Sequence, residues 1–192
     1  SGFLLIKLFK KSVYNTWTFL FKRDMPRIPV DLIYMQMAYQ IAKLSYAERR
    51  RVGCVIVKDT QIISTGYNGT PYNFDNKCEE TQTRSVDNPD HMLILMEKGY
   101  DCKDGCCSKE VTKREVLHAE SNALAKISKS TLSSEGADLY TTTCPCFDCA
   151  KLIIQSGIKR VFFSEDYRDM AGVELLKKAG IEVKEVICWN DL

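Results

Sequence analysis

The stretch Ala137-Asp138-Leu139-Tyr140-Thr141-Thr142-Thr143-Cys144-Pro145-Cys146-Phe147-Asp148-Cys149 decides the fold. Its first seven residues, rich in β-branched and aromatic types, read as a strand. After the proline a helix is expected over 147–156, ending before Gly157. The alternation continues with a strand over 159–164, a helix over 170–179 ending before Gly180, and a strand over 181–187. Strands separated by helices pair in parallel through crossovers.

Upstream the pattern differs. Leu32, Tyr34, Met35, Met37, Ala38, Ile41 and Ala42 recur at helical spacing up to Leu44, with Asp31 as the expected N-cap. Val52-Gly53-Cys54-Val55-Ile56-Val57 and Gln61-Ile62-Ile63-Ser64-Thr65-Gly66 read as two strands of a hairpin turning at Lys58-Asp59-Thr60, and a helix is expected over 118–129. The expected fold class is therefore α/β, a three-layer α/β/α sandwich on a mixed five-stranded sheet. Ligands of such sheets sit beyond the carboxyl ends of the strands.

The chain has 192 residues, 45% hydrophobic and 27% charged, which suits one globular domain with a substantial core. The expected organisation is a segment 1–24, either an N-terminal extension or an appended one with Met25 as a candidate start, followed by a single domain over 25–192. Phe3-Leu4-Leu5-Ile6 and Leu8-Phe9 are interrupted by Lys7, Lys10 and Lys11, too soon for a membrane span or a signal peptide. A formal net charge of +2 gives no footprint for a nucleic-acid polymer and suits a small anionic ligand. Nine cysteines, two of them in a Cys-x-x-Cys pair, point to a reducing, cytoplasmic setting and away from a disulfide framework.

His118-Ala119-Glu120 and Pro145-Cys146-Phe147-Asp148-Cys149 carry the chemistry. Cys146 and Cys149, three apart on a helix, share a face and can grip one ion, with Pro145 expected in the helix's first turn. A helix start also favours thiolate. His118 and Glu120 are two apart, which a regular helix would turn to different faces, so this pair too is expected at a helix start. The expected catalytic zinc has three ligands, His118, Cys146 and Cys149, with its fourth position left for water and Glu120 beside it to move protons. His-x-Glu followed by Pro-Cys-x-x-Cys is the known signature of zinc nucleobase deaminases, so this reading is a recognition.

Gly66-Tyr67-Asn68-Gly69-Thr70-Pro71, Val116-Leu117-His118-Ala119-Glu120-Ser121-Asn122-Ala123 and Pro145-Cys146-Phe147-Asp148-Cys149-Ala150 together resemble the deoxycytidylate deaminase family of the cytidine-deaminase-like fold, over roughly 27–188. The resemblance implies hydrolytic deamination of dCMP to dUMP and ammonia, which feeds thymidylate synthesis. It implies substrate contacts from Asn68, Ala119 and Tyr167, with Asn122 packing its helix. It further implies a homo-oligomer, a hexamer in many relatives. A control site near Tyr67 and Gly69 would be answered by dCTP with Mg2+ as activator and by dTTP as inhibitor. The alternatives are a polynucleotide deaminase acting on tRNA or single-stranded DNA, and a non-enzymatic zinc module with Cys144 as fourth ligand.

Residues 72–115 form a cysteine-containing insert with little periodicity. Cys78, Cys102, Cys106 and Cys107 are candidate ligands of a second, structural zinc, with His91 a further donor. The run Arg49-Arg50-Arg51 before the first strand is either a solvated turn or a receiver of nucleotide phosphate; no aromatics accompany it to make a single-strand track. Cys54 and Cys188 read as small core residues.

Overall fold

The computed structural model describes residues 27–166 and 169–187. Residues 1–24, Tyr167 and Cys188, for which the sequence raised expectations, lie outside the described residues. The described residues from Asp31 onward belong to one compact unit.

Helix α1 spans Val30–Ala42, and strands β1 (Gly53–Lys58) and β2 (Gln61–Tyr67) form the expected hairpin. Helix α3 spans Ala119–Ile127, β6 Asp138–Thr143, α4 Phe147–Gln155, β7 Arg160–Glu165, α5 Ala171–Lys178 and β8 Glu182–Glu185. The five-stranded sheet has the order β2-β1-β6-β7-β8; β1 is antiparallel to both neighbours, and β6, β7 and β8 are parallel. This is the mixed α/β/α arrangement expected from the alternation of strands and helices.

Alternation along the central strands builds the two faces. Cys54 and Ile56 of β1, Leu139 of β6 and Val161 of β7 pack with Ala119, Ala123, Ala150, Ile153 and Leu176 from α3, α4 and α5. Val55, Val57, Tyr140 and Phe162 point the other way, onto Met35 and Ala38 of α1. Tyr140 stacks on Phe162 with ring centroids 4.6 Å apart. Its hydroxyl donates to Asp31 Oδ1 at 2.6 Å. Asp31 is thus not the N-cap expected from the sequence: it lies in the first turn and its carboxylate reaches the sheet.

The insert departs most from expectation. It holds β3 (Glu79–Ser85), α2 (Pro89–Glu97), β4 (Asp101–Lys103) and β5 (Cys106–Thr112), with β3-β5-β4 forming an antiparallel sheet. Asn88 caps α2 by accepting the Asp90 N–H at 2.9 Å, and Pro89 follows it. Asp104 and Gly105, both at positive φ, make the two-residue turn between β4 and β5. Val86, Leu95 and Cys107 form a small core of its own.

Among the described residues, those expected to hold a second zinc are not brought together as a ligand group. Cys102 and Cys107 face each other across the β4–β5 hairpin and are joined as a disulfide. Cys106, next in the strand, is exposed. Cys78 precedes β3, whereas Cys107 pairs with Arg84, so Cys78 and Cys107 are about 20 Å apart at roughly 3.3 Å of strand per residue. Neither these cysteines nor His91 belongs to a metal-ligand group among the described residues.

Candidate active site

The reversed direction of β1 fixes where the site forms. Because β1 runs against β6, the approach to β1 (Arg49 to Val52) and the exit from β2 (Tyr67, Asn68) arrive at the carboxyl edge of β6. The Gly53 N–H donates to Thr142 Oγ1 at 3.3 Å across that edge. Asn68 fastens the loop: its Oδ1 accepts the Val52 N–H at 2.8 Å and its Nδ2 donates to the Arg50 carbonyl at 2.9 Å. Ser45 Oγ holds the Asn68 carbonyl at 2.7 Å.

Two helices begin at the same edge. His118 is the N-cap of α3 and Cys146 the N-cap of α4, both with extended backbone. Glu120 and Cys149 therefore lie in the first turns. Pro145 lies one residue before the cap, not inside the first turn as the sequence suggested.

Glycine sets how closely these helices approach. A Cβ on Gly66 would collide with the Ala119 carbonyl oxygen and the Ala123 nitrogen, so β2 and α3 touch backbone to backbone. A Cβ on Gly172 would collide with the backbone of Pro145 and Cys146, which seats α5 against the start of α4. Asn122 Nδ2 donates to the Tyr67 carbonyl at 2.8 Å, tying α3 to the end of β2.

His118, Cys146 and Cys149 converge, with ligand atoms all within 4.8 Å of one another. His118 Nδ1 is 3.4 Å from each sulfur. Zinc bonds of about 2.3 Å to sulfur and 2.0–2.1 Å to nitrogen, set tetrahedrally, would separate these atoms by about 3.5 Å. The donor set therefore fits the ion in size.

It also fits in charge. The Cys146 thiol is held down at about 4, first by the Cys149 S–H that donates to it and then by His118. Cys149 is pushed far up by giving that hydrogen bond, by burial and by Glu120. Cys146 is thus already disposed to be a thiolate, and a bound cation would favour the thiolate of Cys149 as well, beside the buried Glu120. Cys144, the local alternative as fourth ligand, is not in the group; it is buried, its sulfur 3.8 Å from Met170 Sδ.

Glu120 is buried, and burial pushes its carboxyl above the usual range. Its Oε2 lies 3.6 Å from Cys149 Sγ, outside the ligand set and within reach of an atom bound beside it. Ala119, wholly buried, presents the α3 start to the same cavity. That cavity measures about 530 Å³ and is also lined by Arg49, Arg50, Asn68 and Thr143.

Asn68, Ala119, His118, Glu120 and Cys146 thus share one pocket, as the sequence suggested. Tyr67 and Gly69 flank it: the Tyr67 ring lies under Lys126 Nζ at 5.4 Å, and Gly69 makes a two-bond bridge with Leu117, beside His118. Sequence reasoning missed Glu79, Val111 and Thr112, which reach the pocket from the insert's sheet. The signals that would have found them are the Asp104-Gly105 hairpin turn and the Asn88-Pro89 helix start, which mark the insert as folded.

The fold and the site define a metal-binding α/β/α protein with an acid beside an open ligand set. The family model for the cytidine and deoxycytidylate deaminase zinc-binding region matches residues 30–165, and the chain belongs to that family. The deoxycytidylate deaminase of Saccharomyces cerevisiae is 36% identical over 156 residues, which are 81% of this chain and 44% of the yeast protein, so the chain spans less than half that relative's length. The deoxycytidylate deaminase of Enterobacteria phage T4 is 36% identical over 168 residues, covering 79% of this chain and 87% of the phage protein. The dCMP deaminase of cyanophage S-TIM5, solved in complex with dCMP and dUMP, superposes with a TM-score of 0.65 at 32% identity, covering 84% of this chain and all of that one. Among the described residues no helix is long and apolar enough to cross a membrane.

Proposed function

We propose that the chain hydrolyses dCMP to dUMP and ammonia, with His118, Cys146 and Cys149 as zinc ligands and Glu120 as the catalytic acid and base. The observation that carries this reading is the buried Glu120 carboxylate beside a three-ligand cluster, in a pocket that also contains a guanidinium. Zinc held by those three residues would supply Lewis-acid activation of water. Glu120 takes a proton from the attacking water at its carboxylate and passes it to ring N3, then takes the remaining proton from the hydroxyl now on C4 and delivers it to the amine, which leaves as ammonia as the C4 carbonyl forms. Burial, by raising its proton affinity, suits it to hold that proton between steps.

The 5′-phosphate is assigned to Arg49. Of the three successive arginines, Arg50 is paired with Glu165 at 2.7 Å and Arg51 Nε donates to the Ala47 carbonyl, while Arg49 faces the pocket with no carboxylate partner among the described residues. Tyr167 is assigned to the same ligand on resemblance alone. A dCMP-handling enzyme belongs with the cytoplasmic nucleotide pool and supplies dUMP to thymidylate synthesis; among the described residues the Cys102–Cys107 link runs against a reducing setting.

Control by dCTP with Mg2+ and by dTTP, in a homo-oligomer, completes the proposal. Its support is the Gly69–Leu117 bridge, through which any ligand displacing the Tyr67–Gly69 turn would move His118. Ammonia release from dCMP, compared with a cytosine-bearing single-stranded oligonucleotide and repeated with each effector, tests all of this. Turnover of the oligonucleotide but not dCMP would favour the polynucleotide reading, and no release from any cytosine compound would favour a non-enzymatic zinc module. Hyperbolic kinetics indifferent to dCTP and dTTP would remove the control.

A further inference from the structure

The insert's sheet ends in the pocket. Glu79 opens β3, Thr112 closes β5, and the two are cross-strand partners. Glu79 is buried, only 5% exposed, and its Oε1 accepts the N–H groups of Glu48 at 3.2 Å and Arg49 at 3.3 Å. Thr112 Oγ1 accepts from Arg49 Nη1 at 3.2 Å. One end of the insert's sheet thus grips Arg49 twice, by its backbone and by its guanidinium. The other end of β5 carries the Cys102–Cys107 disulfide, so Thr112 stands on a strand tied to β4 at its far end and Glu79 on the strand paired with it.

This arrangement differs from an incidental contact in two ways. A buried carboxylate spent on two backbone N–H groups is an anchor, because the carboxylate's own burial is offset only by the donors it holds. A carboxylate placed so close to Arg49 without pairing with it leaves the guanidinium available to an incoming anion. A long, flexible side chain that must be ordered on binding loses affinity, and one already held does not.

We propose that Glu79 and Thr112 are positioning residues that preset Arg49 for the phosphate of the substrate, so that the insert determines selectivity for a nucleotide over a nucleoside. This rests on the dCMP reading given above. Glu79 acts as a hydrogen-bond acceptor; its negative charge, which a bound phosphate would feel as repulsion, is incidental to the role.

The test uses the full zinc-loaded chain with Glu79→Ala, Glu79→Gln and the isosteric Thr112→Val. For Glu79→Ala and Thr112→Val, KM for dCMP and Ki for dUMP should each rise roughly tenfold, the scale of one lost hydrogen bond to a charged group. Their kcat and the Ki for deoxyuridine, which lacks the phosphate, should stay within about twofold on that argument. Glu79→Gln keeps both acceptor interactions and should return KM to the wild-type value or below it. An equal rise in Ki for deoxyuridine, a fall in kcat at constant KM, or Glu79→Gln behaving like Glu79→Ala would overturn the proposal. Should Glu79→Ala fail to fold, Thr112→Val and Glu79→Gln still decide it. If the wild type does not turn over dCMP, the reaction assignment fails instead, and calorimetric binding of dUMP against deoxyuridine to the same variants decides the positioning role separately.

Discussion

Glu120 and Cys149 occupy first-turn positions of two different helices and meet at 3.6 Å, close enough that exchanging either changes the other's surroundings. Their exchanges nonetheless separate two tasks. Glu120→Gln keeps the volume and the ligand set, so zinc content by atomic absorption should stay at the wild-type level while turnover falls by about 10²–10⁴-fold, the usual worth of a positioned acid and base. Cys146→Ser or Cys149→Ser removes a thiolate for which the oxygen is a poorer zinc donor, and the metal itself should be lost on purification. Wild-type turnover in Glu120→Gln would remove the carboxylate from the mechanism.

Among the elements, α3 and α4 depend on what lies behind them. Gly66→Ala inserts a methyl group where β2 and α3 touch through backbone. It should cost about 1–3 kcal/mol, read as a fall in melting temperature of roughly 2–4 °C per kcal/mol. Gly172→Ala acts on the start of α4 and should weaken zinc retention along with stability; unchanged metal content would show that the α5 contact is not part of the site. These elements were legible because their signals are local: β1 reads Gly-Cys-Val-Ile-Val, and the helices stop before Gly157 and Gly180. The insert was not legible, since β3 reads Glu-Glu-Thr-Gln-Thr-Arg-Ser and is exposed after its first residue, leaving no apolar alternation to detect. The His118, Cys146 and Cys149 cluster could be read from spacing, whereas Glu79 and Thr112 are brought to Arg49 only by pairing between strands far apart in the chain. The disulfide escaped notice for the same reason: it depends on hairpin register, which composition does not carry.

For the whole molecule, zinc is expected to act as a fastener. It would join the starts of α3 and α4, which belong to separate crossovers of the sheet. A ligand present at a thousand times its dissociation constant contributes about 4 kcal/mol to stability, so a chelator should lower the melting temperature by roughly 10 °C. Readdition of zinc should restore it, and an unaltered melting curve after verified metal removal would refute the linkage. The insert has a wider consequence. The groups expected to break the C–N bond come from the main sheet and its helices, as does Arg49, while the residues expected to preset Arg49 for the phosphate come from a hairpin-bearing appendage with a small core of its own. Recognition and reaction are then separable inheritances: an appendage of different length or pairing could be exchanged to suit another leaving-amine nucleotide, and the proton-transfer apparatus would not need to be rebuilt.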